Sequence, residues 1–196
     1  MLRTSKWMSA ALIVGALTAT PRAQAPAAQD GVVTMDSLKG FTQQYTHVRD
    51  MLIKMAELMP EDGYSYQPVP TVRTFASSIG HIASSNLGQC GGFLDKKHPL
   101  ASQKLEETLK AKGESVEALK ASFALCDEFF DTIASRGNLM ESTFTVNGRR
   151  RDGTAVTLKM GYAGSIAGLL GHNNEMYGYM AMYLRMKGLV PPTSAK

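Results

Sequence analysis

The sequence predicts an all-α protein: a four-helix bundle with a hairpin-like loop before the last helix. Three observations predict it. Apolar residues recur at helical spacing in four long segments. Connections marked by Pro and Gly separate those segments, and two β-prone runs flanking a turn occur only before the fourth. Amphipathic helices of this length hide their apolar stripes by packing on one another.

The first 25 residues read as a signal peptide rather than a fold element. Arg3 and Lys6 form a positive start, Met8 to Ala19 an apolar run, and Ala23-Gln24-Ala25 a small-x-small cleavage site. The mature chain is expected to start at Pro26, exported to a periplasm or the cell exterior. Residues 26–35 read as a linker and 36–196 as the bundle. Arg3, Lys6 and Arg22 leave with the signal, so the 21 basic residues fall to 18 against 17 acidic ones. The near-neutral mature chain offers no nucleic-acid surface, and no membrane contact is expected after cleavage.

The first helix is predicted from Asp36 to Met59, stopped by Pro60, with Phe41, Tyr45, Val48, Leu52, Met55 and Met59 as its buried stripe. Gly63, Pro68 and Pro70 make the next stretch a connection. Thr71 is the predicted N-cap of a second helix reaching Leu94, with Phe75, Ile79, Ile82, Cys90 and Phe93 inward. Beside that stripe runs a row of small residues around His81: Ser77, Ser78, Ser84, Ser85, Gly88 and Gly92. Such a row suits either tight helix packing or a pocket wall.

Gln103 to Lys112 reads as a short helical turn or two. A third long helix fits Ser115 to Ala134, with Leu119, Phe123, Cys126, Phe130 and Ile133 inward. Arg136 to Met160 reads as a hairpin, its turn at Asn147-Gly148 or at Asp152-Gly153, with Arg149 to Arg151 as a solvated tip. Cys90 and Cys126 are the only cysteines. Each sits beside apolar neighbours on a predicted helix, so two buried thiols and a disulfide both remain open.

The last helix is predicted from Tyr162 to Lys187, closed by Gly188, Pro191 and Pro192. At 100° per residue, Ser165, Gly168, Leu169, His172, Glu175, Met176, Tyr179 and Tyr183 share one face. A His, a Glu and two Tyr on a face expected to be apolar mark a polar site between helices.

Three segments carry a resemblance to a known family: Met55 to Phe75, the I-G-H-I-A-S-S-N stretch around His81, and L-L-G-H-N-N-E-M-Y-G-Y with the Y-L-R-M-K-G-L-V-P-P that follows. In these the chain resembles the DinB-like four-helix bundles. The resemblance implies a divalent metal ion (Zn, Ni or Mn) held by one His on the second helix and an H-x-x-x-H pair on the fourth. His81 matches the first and His172 the second. The third falls on Met176, a soft thioether where an imidazole is expected.

Three outcomes stay open: Glu175 replaces the missing ligand, His47 does so from the first helix, or the metal has been lost. The resemblance also implies metal-dependent transfer or hydrolysis on an unidentified small molecule, with Tyr179 or Tyr183 as donors to it. The alternative is a non-catalytic binding or dimerisation module, with a homodimer as its expected assembly. Copper or haem handling ranks third, since the chain has no C-x-x-C-H.

Overall fold

The computed structural model describes residues 37–135, 142–150 and 152–195. The expected signal peptide, the linker, Asp36 and Arg151 lie outside them. Five helices and a two-stranded hairpin are found among the described residues: α1 (Ser37–Leu58), α2 (Phe75–Leu94), α3 (Leu105–Thr108), α4 (Lys112–Ala134), β1 (Thr143–Arg149), β2 (Ala155–Gly161) and α5 (Tyr162–Met186). None of these helices is long and apolar enough to cross a membrane.

The four long helices pack in the ring order α1, α4, α2, α5, since α1 and α2 each lie against both α4 and α5. Helices α1 and α2, consecutive among the long four, therefore sit diagonally, which selects the crossover arrangement. The core is drawn largely from the predicted stripes: Leu52 and Met55 on α1, Ile79 and Ile82 on α2, Phe123 and Phe130 on α4, and Leu169 on α5 are all 3% exposed or less, joined by Met180 of α5 from outside the predicted face. Each such side chain stabilises the fold by about 1.5–3 kcal/mol relative to exposure.

Polar ties fix how the helices meet. The Tyr45 hydroxyl donates to Asp127 Oδ1 (2.7 Å), with the Phe123 carbonyl also in reach (3.0 Å), and Arg49 donates to the same carboxylate oxygen (2.7 Å). Inside the bundle Asn173 Nδ2 donates to Asn86 Oδ1 (3.2 Å), Asn86 Nδ2 to Ser122 Oγ (3.4 Å), and Ser122 Oγ to the Leu119 carbonyl (2.7 Å). That chain joins α5, α2 and α4.

Three readings of the sequence are settled or moved. Thr74, not Thr71, caps α2: its Oγ1 accepts from Ser77 N–H (3.1 Å), while Thr71 lies in the preceding turn. Cys90 and Cys126 form a disulfide between α2 and α4. The hairpin turns at Asp152-Gly153, because Asn147 and Gly148 are paired within the ladder opposite Thr157 and Val156. Gly153 has φ +85°, a conformation that favours glycine, and Asp152 Oδ1 accepts from Thr154 N–H (2.9 Å).

Candidate functional site

His81 and His172 face each other from α2 and α5. The Thr74 cap starts α2 two turns before His81. At the other side, Tyr162 N–H donates to the Ser142 carbonyl (3.2 Å), which ties the start of α5 to the hairpin. The two Nε2 atoms are 3.1 Å apart and the rings are tilted at 55°. Across that gap the pair can share one proton, or turn both lone pairs on one cation.

The other side of His81 is held by residues the sequence reading did not single out. Glu106 Oε1 lies 2.5 Å from His81 Nδ1, and Glu106 Oε2 accepts from Arg73 Nε (2.8 Å). Arg73 Nη2 is also 3.2 Å from the same Nδ1. One ring nitrogen cannot donate to Glu106 and accept from Arg73 at once. The shorter, charge-assisted contact decides: Nδ1–H donates to Glu106, leaving the Nε2 lone pair to face His172.

Glu106 reaches His81 because α3 lies directly on α2. A Cβ added at Gly80 would stand 2.4 Å from the Leu105 carbonyl oxygen and 2.8 Å from Glu106 N. Only a residue without a side chain allows that approach. The glycine one position before His81 was the available signal for Glu106, and helical periodicity does not read it.

Electrostatics follow the geometry. Burial works to raise the Glu106 carboxyl, but hydrogen bonds and charge from Arg73 and His81 hold it below its usual value. Burial, then the charge of His81, pushes His172 down, with Asn173 and Glu175 pulling the other way. His172 Nδ1 and Asn173 Oδ1 are both buried without a hydrogen-bond partner, although they belong to adjacent residues.

His81 opens on a cleft of about 670 Å³, lined also by Arg73, Glu106, Glu175, Met176, Tyr179, Tyr183 and the apolar side chains of Val72, Met182 and Met186 among others, while His172 stands behind His81 and does not line it. The structure thus brings His81, Glu175, Met176, Tyr179 and Tyr183 to one cleft. Their burial departs from the predicted stripe. Met176 is 4% and Tyr183 6% exposed, whereas Tyr179 is 54% exposed and Glu175 is exposed as well.

The buried arc of α5 follows Ile166, Leu169, Leu170, Asn173, Met176, Met180 and Leu184, which leaves Glu175 and Tyr179 on the rim. The Tyr183 hydroxyl is also committed, donating to the Arg73 carbonyl at 2.6 Å. It ties α5 to the segment before α2 rather than standing free as a donor to substrate. His47 is exposed on α1 and does not line the cleft.

The residues suit a divalent ion as two ligands rather than three. Nitrogens each about 2.0–2.1 Å from one zinc ion lie roughly 3 Å apart, close to the observed spacing. A carboxylate on the far nitrogen of a ligating His is the usual outer-shell support. Against this, among the described residues no group of three or more His, Cys, Asp and Glu side chains converges as a metal site. The arrangement is an open two-imidazole centre, not a closed protein cage.

The DinB superfamily model matches residues 44–175, which holds all of α2, α3 and α4 and both histidines. A crystal structure of a DinB-like protein from Bacillus cereus ATCC 10987 is similar at a TM-score of 0.59 and 16% identity, over 79% of this chain and 95% of that one. That likeness bears on the fold. No curated protein sequence matches this chain.

Proposed function

The chain belongs to the DinB superfamily, and from that premise we propose that it is an exported bundle whose His81–His172 centre takes a divalent cation and acts on a small molecule held in the adjoining cleft. The observation that supports this most is the convergence of the two Nε2 atoms at 3.1 Å with Glu106 fixed behind His81. Members of the superfamily often bind divalent metals. His81 and His172 would hold the ion, with Glu175 on the rim as the carboxylate candidate for a further position. When bound, such an ion supplies a hydroxide or thiolate nucleophile near neutral pH, for hydrolysis or group transfer.

The chain's own residues do the rest. Glu106 fixes the His81 tautomer and ring plane. Arg73 is tethered twice, by Glu106 at its guanidinium and by Tyr183 at its carbonyl. It brings a positive charge to the cleft, where an anionic group of a substrate would pair with it. Val72, Met176, Met182 and Met186 line the cleft with hydrocarbon that would receive an apolar body of the substrate. Export is supported by the Cys90–Cys126 disulfide, which persists in oxidising compartments.

A chelator experiment tests this reading. Protein loaded with Zn²⁺, Ni²⁺ or Mn²⁺ should melt higher than EDTA-stripped protein and turn over members of an ester and thiol-transfer panel. His81→Ala should lose both effects. An unchanged melting temperature with no turnover would rule the proposal out.

A second reading has its own observation. Met176 stands buried where the family's third ligand is expected, and Tyr179, Met182 and Met186, each 54% or more exposed, form an apolar stretch on α5. A non-catalytic bundle that binds a ligand or a second copy there would keep that binding in His81→Ala.

A further inference from the structure

A second slot lies about two helical turns along the bundle from the histidine pair, and it shares no lining residue with the first cleft. It measures about 450 Å³ and is bounded by α2, the hairpin and α5. Five glycines pave it: Gly88 and Gly92 from α2, and Gly161, Gly164 and Gly168 at and within the start of α5. A Cβ built on Gly88, Gly161, Gly164 or Gly168 meets nothing within 4 Å, and one on Gly92 only touches Val146 at 3.9 Å. Close packing therefore does not require these glycines, unlike Gly80. Four of them stand inside helices, where glycine is the poorest residue after proline. What they provide is open space between two flat helix faces.

The rest of the lining says what fits there. Phe93, Val146 and Met160 give hydrocarbon walls, Gln89 adds one amide whose Nε2 already donates to Ser85 Oγ (2.8 Å), and the lining contains no Asp, Glu, Lys, Arg or His. An ion would lose its hydration there without a compensating charge. Ser165 also lines the slot, is 8% exposed, and its Oγ is buried with no hydrogen-bond partner. A buried hydroxyl without a partner is costly and uncommon. A guest carrying one polar group would complete it.

We infer that this slot is a binding site for an uncharged, slender, largely apolar molecule bearing a single hydroxyl or carbonyl group, seated between the glycine faces with its polar group on Ser165 Oγ. It is independent of the histidine centre.

The test uses 1-octanol as probe against the protein as purified from cells, followed by ¹H–¹⁵N shift titration. Saturable shifts are expected around residues 88–93 and 160–168. Ser165→Ala should weaken binding about five-fold, the value of one ordinary hydrogen bond. Gly168→Leu, a good helix former pointing into open space, should abolish binding while the melting temperature holds. Gly88→Leu fills the opposite wall and serves if Gly168→Leu does not fold. Octanoate should bind at least ten-fold more weakly, and His172→Ala should leave octanol binding unchanged. Absence of saturable shifts up to the solubility limit, shifts confined to the histidine cleft, equal binding in the leucine variants, or octanoate binding as tightly as octanol would each overturn the inference.

Discussion

Replacing Gly80 by Ala probes how the histidine centre is supported, because it adds one methyl group to a point where backbone meets backbone. The new Cβ would stand 2.4 Å from Leu105 O, 2.6 Å from Leu105 C and 2.8 Å from Glu106 N, and real Cβ atoms essentially never come closer than 3.0 Å. None of these neighbours is a flexible side-chain end, so α3 must withdraw as a unit. Overpacking of this kind costs about 1–3 kcal/mol, offset by about 1 kcal/mol from exchanging Gly for Ala in a helix. Net stability should therefore fall by roughly 0–2 kcal/mol. The larger effect falls on the site. Glu106 is carried away from His81 Nδ1, a contact now at 2.5 Å. Loss of an outer-shell carboxylate lowers metal affinity by about 10–100-fold.

Urea denaturation measures the first quantity, and Zn²⁺ competition against a chromophoric chelator the second. The ¹⁵N shifts of the His81 ring report its tautomer without any metal. Gly88→Ala is the control: same helix, same substitution, nothing within 4 Å of the added carbon. It should gain up to about 1 kcal/mol and leave affinity and tautomer alone. Wild-type zinc affinity and an unchanged His81 tautomer in Gly80→Ala would refute the reasoning, as would an equal loss in Gly88→Ala.

Four further outcomes are expected. Glu106→Gln should cost about 1 kcal/mol of stability or less, because the Arg73 pair is 44% and 38% exposed, yet cut Zn²⁺ affinity about 10–100-fold in the same competition assay. Met176→His should raise that affinity roughly ten-fold or more by supplying a third imidazole, and a null result would show that the α5 backbone does not aim this position at the pair. Acid should destabilise the fold in two stages, readable as urea midpoints against pH. His172 has a lowered pKa in the folded state, so below its ordinary 6.5 the unfolded chain binds the proton first and stability falls. Glu106 is also lowered, so its contribution is present above its ordinary 4.5 and is lost as pH falls through its folded value. Reducing the Cys90–Cys126 bridge, which spans 36 residues, should cost up to about 4 kcal/mol by urea melts with and without dithiothreitol.

The helices were legible because burial and periodicity agree where a helix presents one stripe. Tyr45, Val48, Leu52 and Met55 of α1, and Met59 just past its end, are buried as their spacing requires, while Phe41 of the same predicted stripe is half-buried. On α5 the same projection put the face too far round. That helix packs against both α1 and α2, so its buried arc is broad and centred on Asn173 and Met176. The polar residues that drew attention, Glu175 and Tyr179, stand at its edge.

His81 and His172 were found because they sit on long periodic helices. Glu106 and Arg73 were not, since a four-residue helix and a loop leave no periodic trace; their place depends on the approach at Gly80. The N-cap was placed one turn early because two Thr are plausible caps, and only Thr74 accepts from α2's own backbone. Cysteine pairing depends on α2 lying against α4, a ring order that stripes alone do not fix.

The most direct test of the histidine centre is metal content by plasma mass spectrometry on protein purified without an affinity tag, beside a His172→Ala variant. One divalent ion per chain in the wild type and none in the variant is the predicted result. No ion in the wild type, even after loading with Zn²⁺, Ni²⁺ and Mn²⁺, would contradict the account and identify Met176 as the mark of a site that no longer holds metal.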